Sequence, residues 1–247
     1  GINIPETVLQ RGIETYTMHT DNGTSIIKTP LHEKRIAAIF RGGGPLFRNM
    51  NKDITDKLAQ LQGLDGFLLE CAVKQGAKVI NDRVTEIKRK ENFPEVTTHG
   101  GLSKGYDLLV GAVGLNESTM KLLSDNMFGY KLPVTTRTYI AEFYLGREQI
   151  NQYFGNSMHV FLINIPRLKF AAFIPKGDFI TMVLLGKDID QPLVDTFLQT
   201  KEVKDCFPPA FNPIHADNCK CIPKINISKA VHPYCDRMLV IGTECSR

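Results

Sequence analysis

The residues of this chain best suited to chemistry are glycines placed directly after apolar runs. Residues 106–116, Tyr-Asp-Leu-Leu-Val-Gly-Ala-Val-Gly-Leu-Asn, read as a buried strand running into a turn that carries Gly111, Gly114 and Asn116. A second apolar run, Arg237 to Ile241, leads into Gly242, Thr243 and Glu244. Glycine at such a place lets backbone N–H groups approach a phosphate, and a carboxylate nearby can bind a sugar hydroxyl. The chain has no Gly-x-Gly-x-x-Gly turn, the element that seats a dinucleotide pyrophosphate at a helix N-terminus.

Three further groups invite a chemical reading. Arg41, Gly42, Gly43 and Gly44 form a loop in which backbone can approach a ligand or another segment closely. Phe170-Ala171-Ala172-Phe173-Ile174-Pro175-Lys176-Gly177 reads as a hairpin arm with an apolar inner face. His215, Cys219, Cys221 and Cys235 could supply four soft ligands, but Cys-x-Cys without a second close pair does not match a structural zinc pattern, so no metal is expected. The absence of Cys-x-x-Cys and of Gly-x-Ser-x-Gly argues against thiol–disulfide exchange and against hydrolysis.

The elements that must position these residues follow from pattern. Residues 13–20 alternate and are rich in β-formers, and Asp21-Asn22-Gly23 supplies hairpin chemistry before a return strand over 25–28. A strand is expected from Arg35 to Phe40. Asp65 is a candidate cap for a helix through about Gln75, with Phe67, Leu68, Cys71 and Ala72 on one face and Gly76 as its stop. Strands are expected at 78–80, 84–88, 96–98 and 107–110, the middle two joined at Glu91-Asn92-Phe93-Pro94. Long strands then dominate: 135–145, 158–163, 168–174 and 179–185, the last two joined by Pro175-Lys176-Gly177-Asp178. A short helix near 148–154 interrupts them, 191–206 looks helical, and 207–224 reads as irregular.

Composition narrows the function classes. The 247 residues hold 30 Lys and Arg against 26 Asp and Glu, with no long basic run or basic stripe interleaved with aromatics, which disfavours nucleic-acid binding. No apolar run approaches the ~20 residues of a membrane-spanning helix, and a cytoplasmic protein with mostly free thiols is expected. The chain opens on Gly-Ile-Asn-Ile-Pro and stops at Cys245-Ser246-Arg247, just past a core-like strand, a pattern expected of a fragment.

The order of these elements resembles the flavoprotein hydroxylase and geranylgeranyl reductase superfamily over nearly the whole chain. Leu64 to Leu69 with Gly76 to Ile80, Gly111 to Asn116, and Asp236 to Gly242 look most like the geranylgeranyl reductase branch. The resemblance implies an α+β protein with a truncated p-hydroxybenzoate-hydroxylase-like fold: the remainder of an α/β flavin domain (51–127 and 226–247) and a substrate domain with a large antiparallel sheet (1–50 and 128–225). It implies FAD, contacted at Gly111, Gly114, Asn116, Gly242, Thr243 and Glu244. Without a dinucleotide turn, the chain alone is expected to hold FAD weakly or not at all. An acid common in the first motif is replaced by Val113, and the Asp usual in the second by Thr243.

The segment from Phe170 is similar to the Tyr-x-Trp-x-Phe-Pro-x-Gly lining of the isoprenoid cavity, with Phe170, Ala172 and Ile174 at the aromatic positions and Pro175 and Gly177 matching. Together with Arg41, Gly42 and Gly43 these are the implied substrate contacts. The implied reaction is hydride transfer from reduced flavin to an apolar prenyl or lipid-like alkene, with contact to a membrane surface on account of that substrate. A non-catalytic ligand-binding module and an oxygen-using hydroxylase are the alternatives on the same scaffold.

Overall fold

The computed structural model describes residues 2–29, 36–39, 63–216 and 218–242. The chain begins with β1 (Leu9–Ile13), β2 (Thr15–Thr20), β3 (Gly23–Lys28), β4 (Ile36–Ile39) and α1 (Leu64–Lys74). There follow β5 (Val84–Lys90), β6 (Phe93–Thr98), β7 (Ser103–Gly105), β8 (Leu109–Gly111) and α2 (Glu117–Ser124). Next come β9 (Thr135–Tyr144), α3 (Arg147–Tyr153), β10 (Ser157–Leu162), β11 (Leu168–Lys176), β12 (Phe179–Gly186), α4 (Gln191–Gln199) and α5 (Lys201–Lys204). The described part closes with β13 (Asn218–Cys221), β14 (Lys224–Asn226), β15 (Tyr234–Cys235) and β16 (Met238–Val240). These form two compact units, one of residues 1–77 with 137–223 and the other of 78–136 with 224–247.

The first unit is built on a mainly antiparallel sheet in the order β13-β9-β12-β11-β10-β2-β3. Its hairpins follow from turn chemistry. Thr20 pairs with Gly23 around Asp21-Asn22, and Lys176 pairs with Phe179 around Gly177-Asp178, where Gly177 adopts φ 53°. The positive φ at Gly177 favours glycine, and a side chain there would also push aside the Gln10 amide, 2.6 Å away.

Alternation along β9, β11 and β12 gives the sheet two different faces. One face sends Tyr139, Ala141, Phe143, Ala171, Phe173, Ile180, Met182 and Leu184 into the main core, where they meet Leu193, Val194, Phe197 and Leu198 of α4. That helix starts where it does because Asp190 accepts a hydrogen bond from the Leu193 N–H at 3.0 Å and Pro192 occupies its first turn. It stops at Thr200, whose backbone is extended (ψ 151°), so the helical stretch over 191–206 is two helices.

In the second unit, β5, β6 and β7 form a meander, and β15, β16 and β8 form a small sheet in which β16 and β8 run parallel. Glu91 and Asn92 both take positive φ (51° and 69°), so the β5–β6 turn is a tight two-residue one and β6 already begins at Phe93. Ile87, Leu123, Met127, Tyr130, Met238 and Val240 make the core of this unit.

Three sequence expectations are corrected. The cap of α1 is Gly63, with Asp65 inside the first turn, and the helix buries no residue: Leu68 and Val73 are exposed, while Phe67 and Cys71 are half-buried. Residues 78–80 join no sheet among the described residues, and Val79 and Ile80 are exposed. The stretch over 207–224 contains β13, whose Cys221 lies opposite Ile140 of β9. No helix among the described residues is long and apolar enough to cross a membrane.

Candidate functional site

The parallel pairing of β16 with β8 sets Val240 beside Gly111, and the Ile241 N–H donates to the Gly111 carbonyl at 2.8 Å. Both strands therefore end at the same edge, which carries the turn Gly111 to Asn116 after β8 and Gly242 after β16. The carboxyl ends of parallel strands are where α/β sheets take their ligands. Gly242 has φ 86° and Gly114 φ 63°, and a Cβ at Gly114 would meet nothing within 4 Å, so the positive φ and not crowding is what favours glycine there. Gly111 is constrained from the other side: a Cβ there would lie 2.6 Å from a Leu123 methyl, so it lets α2 pack close to β8.

Asn116 is the N-cap of α2. Its Oδ1 caps α2, accepting from the Thr119 N–H (3.2 Å) and from the hydroxyls of Ser118 (2.7 Å) and Thr119 (3.2 Å). Val113 packs against the core of the second unit. Glu117, in the first turn of α2, is paired with Lys224. Replacing Asn116 with Ala is expected to destabilise the second unit by about 1 kcal/mol, the worth of an N-cap, as thermal melts of the variant check.

The substrate contacts drawn from sequence fall on the second face of the large sheet. Phe170, Ala172, Ile174 and Lys176 of β11 share that face with Thr181, Val183 and Leu185 of β12 and with Ile140, Glu142 and Tyr144 of β9. Pro175 lies on the core-facing side of β11 and Gly177 in the turn that ends it. Sequence reading missed the one charged pair here. Lys176 Nζ lies 2.5 Å from Glu142 Oε1, and the Thr181 hydroxyl is 3.0 Å from both oxygens of that carboxylate. Arg41, Gly42, Gly43, Thr243 and Glu244 lie outside the described residues.

Among the described residues, one set of three His, Cys, Asp or Glu side chains brings its ligand atoms within 4.8 Å of one another: His19, His159 and Cys206, all buried. It shares no member with the four candidates read from sequence. Adjacent parallel strands β2 and β10 place the two histidines on the helix-covered face, and Cys206 follows α5. His19 stacks on Phe161 (4.5 Å between ring centres), and His159 packs on Phe154. Burial, reinforced by the neighbouring His19, holds His159 down at about 4, and burial pushes the Cys206 thiol up to about 12. Separations of 140 and 47 residues leave no local spacing that could have announced the trio.

No protein-family model and no curated protein matches this chain. Its backbone does match solved structures. A flavoprotein/dehydrogenase from Cytophaga hutchinsonii superimposes with a TM-score of 0.62 at 11% identity, over 95% of this chain and 55% of the other. A triple mutant of a flavin-dependent brominase gives 0.59 at 12% identity, over 96% of this chain and 57% of the other. The halogenase PltM gives 0.59 at 12% identity, over 98% and 49%. This chain shares their fold. It is a sheet-dominated α+β fold, and the chain spans about half the length of those proteins.

Proposed function

We propose that this chain is part of an FAD-dependent oxidoreductase that transfers a hydride from reduced flavin to an apolar, prenyl or lipid-like alkene. The observation that supports the reading is that the Gly111–Asn116 turn and Gly242 stand at one edge of the β8–β16 pair, on a fold shared with flavoproteins. In this reading the backbone of 111–114 and of 242–244 approaches the ribityl and phosphate portion of FAD, and Asn116 keeps the first turn in shape as a cap. The bound flavin supplies the hydride chemistry, so the protein's part is positioning and exclusion of water. Phe170, Ala172, Ile174, Val183 and Leu185 supply the apolar wall that accepts the alkene, with Arg41, Gly42 and Gly43 as the loop that meets it. Ala172, where the resemblance places a Trp, leaves a wider or differently shaped cavity.

The test is anaerobic. Photoreduced full-length gene product is mixed with a prenyl alkene, and the reading expects the oxidised flavin spectrum to return together with a saturated product. Reoxidation only when oxygen is admitted, with a hydroxylated or halogenated product, would replace the reductase by an oxygenase on the same fold. For the 247-residue chain by itself the expectation is no saturable FAD uptake below about 100 µM, because no Gly-x-Gly-x-x-Gly turn is present to seat the ADP half. Isothermal titration showing tight, stoichiometric uptake by that chain would contradict it.

A further inference from the structure

We propose that His19, His159 and Cys206 bind a divalent transition-metal ion, zinc foremost, with one coordination position left open to the adjoining cavity. His19 Nε2 lies 3.0 Å from His159 Nδ1, and Cys206 Sγ lies 3.4 Å from His159 Nδ1 and 3.8 Å from His19 Nε2. A tetrahedral ion with metal–N near 2.05 Å and metal–S near 2.3 Å needs its ligand atoms about 3.4 Å apart for N···N and about 3.6 Å for N···S. All three observed spacings fall within about 0.4 Å of those values.

Without a metal, protons join the trio: the Cys206 thiol is placed to donate to the Glu202 carbonyl at 3.1 Å, which turns a sulfur lone pair toward the two imidazoles, and one proton lies between His19 Nε2 and His159 Nδ1. A bound cation takes the place of the thiol proton and of the shared imidazole proton, and supplies the positive charge a buried thiolate requires.

The surroundings are those of a held metal ligand set. The rings are fixed by Phe161 and Phe154, and the Thr24 hydroxyl lies 3.3 Å from His19 Nδ1, positioned to accept its N–H and so leave Nε2 as the ligating atom. The cavity beside the trio, about 350 Å³, is lined by Asp21, Glu202 and Asp205 against a single lysine, Lys201, which is itself paired with Asp205 at 2.5 Å. This excess of carboxylates attracts cations to the opening. Two imidazoles and one thiolate suit zinc or cobalt better than magnesium or calcium, and three protein ligands leave a fourth position for water or an incoming ligand.

The experiment is a titration of the chelator-stripped full chain with cobalt(II). It should yield about one equivalent bound, a thiolate-to-cobalt charge-transfer band and the intense visible bands of tetrahedral cobalt, all abolished by zinc. Cys206→Ser should remove the charge-transfer band, His19→Gln should weaken binding at least about tenfold, and Cys221→Ser should change neither. X-ray absorption at the zinc edge of the loaded wild type, which needs no variant, should show one sulfur and two imidazole nitrogens. Overturning results are a folded wild-type chain that binds less than about a tenth of an equivalent, bands that survive in folded Cys206→Ser, or a zinc shell with two sulfurs. None of these readouts involves flavin, so the metal site and the oxidoreductase reading stand or fall separately.

Discussion

Phe173→Ala should cost about 4 kcal/mol of folding stability and lower Tm by on the order of 10 °C. Phe173 is fully buried at the centre of the larger core. Its ring meets Phe161 (5.1 Å), Phe207 (5.2 Å), Phe197 (5.9 Å) and Phe154 (6.1 Å) in edge-on or tilted arrangements. Four rings from β10, α4, α3's end and the segment after α5 therefore lose a common partner at once, and rigid neighbours on a strand cannot collapse into the space. Phe173→Leu keeps most of the volume and should cost well under half as much. Urea denaturation followed by far-ultraviolet circular dichroism separates the two variants; equal, small losses for both would show that this cluster does not anchor the sheet. The consequence reaches the opposite face, because Phe173 holds in place the strand that carries Phe170, Ala172 and Ile174.

Lys176→Met is the second large effect, with an expected loss of roughly 2–3 kcal/mol. The side chains of Lys176 and Glu142 are only 18% and 12% exposed, so removing the ammonium leaves a carboxylate in a poorly solvated place, still bonded by the Thr181 hydroxyl at 3.0 Å. Neutralising both ends, as Glu142→Gln with Lys176→Met, should recover most of that loss, since the pair as a whole contributes little once its desolvation is counted. A double-mutant cycle in urea measures this directly. If the double variant proves less stable than Lys176→Met alone, the pair is acting through packing of the lysine stem and not through charge.

How far sequence could be read depended on whether the deciding interaction was local. Asp21-Asn22-Gly23 and Gly177-Asp178 announced their hairpins because a two-residue turn needs those residues, and the strands on each side then fell into register. The long strands of the first unit showed clear alternation for the same reason. Asp65 misled because a side-chain cap was inferred where the backbone of Gly63 begins the helix unaided. The strand at Asn218–Cys221 was hidden by lysine and proline neighbours and exists through its pairing with β9, which no local pattern encodes. In the candidate flavin turn, the glycines were legible as glycines, but that Asn116 caps α2 and that Val113 faces a core are facts of packing. The His19, His159 and Cys206 cluster lay furthest from reach, since a parallel pairing between β2 and β10 had to form before the two imidazoles could meet.

The account turns on whether the edge that carries the Gly111–Asn116 turn and Gly242 serves a flavin. The most direct measurement is the visible absorbance of the full-length gene product as it leaves a gel-filtration column. The account predicts the two-banded spectrum of oxidised flavin, co-eluting with the protein at about one FAD per chain. A folded, colourless protein that also fails to take up added FAD would contradict it and leave a ligand-binding scaffold in place of an oxidoreductase.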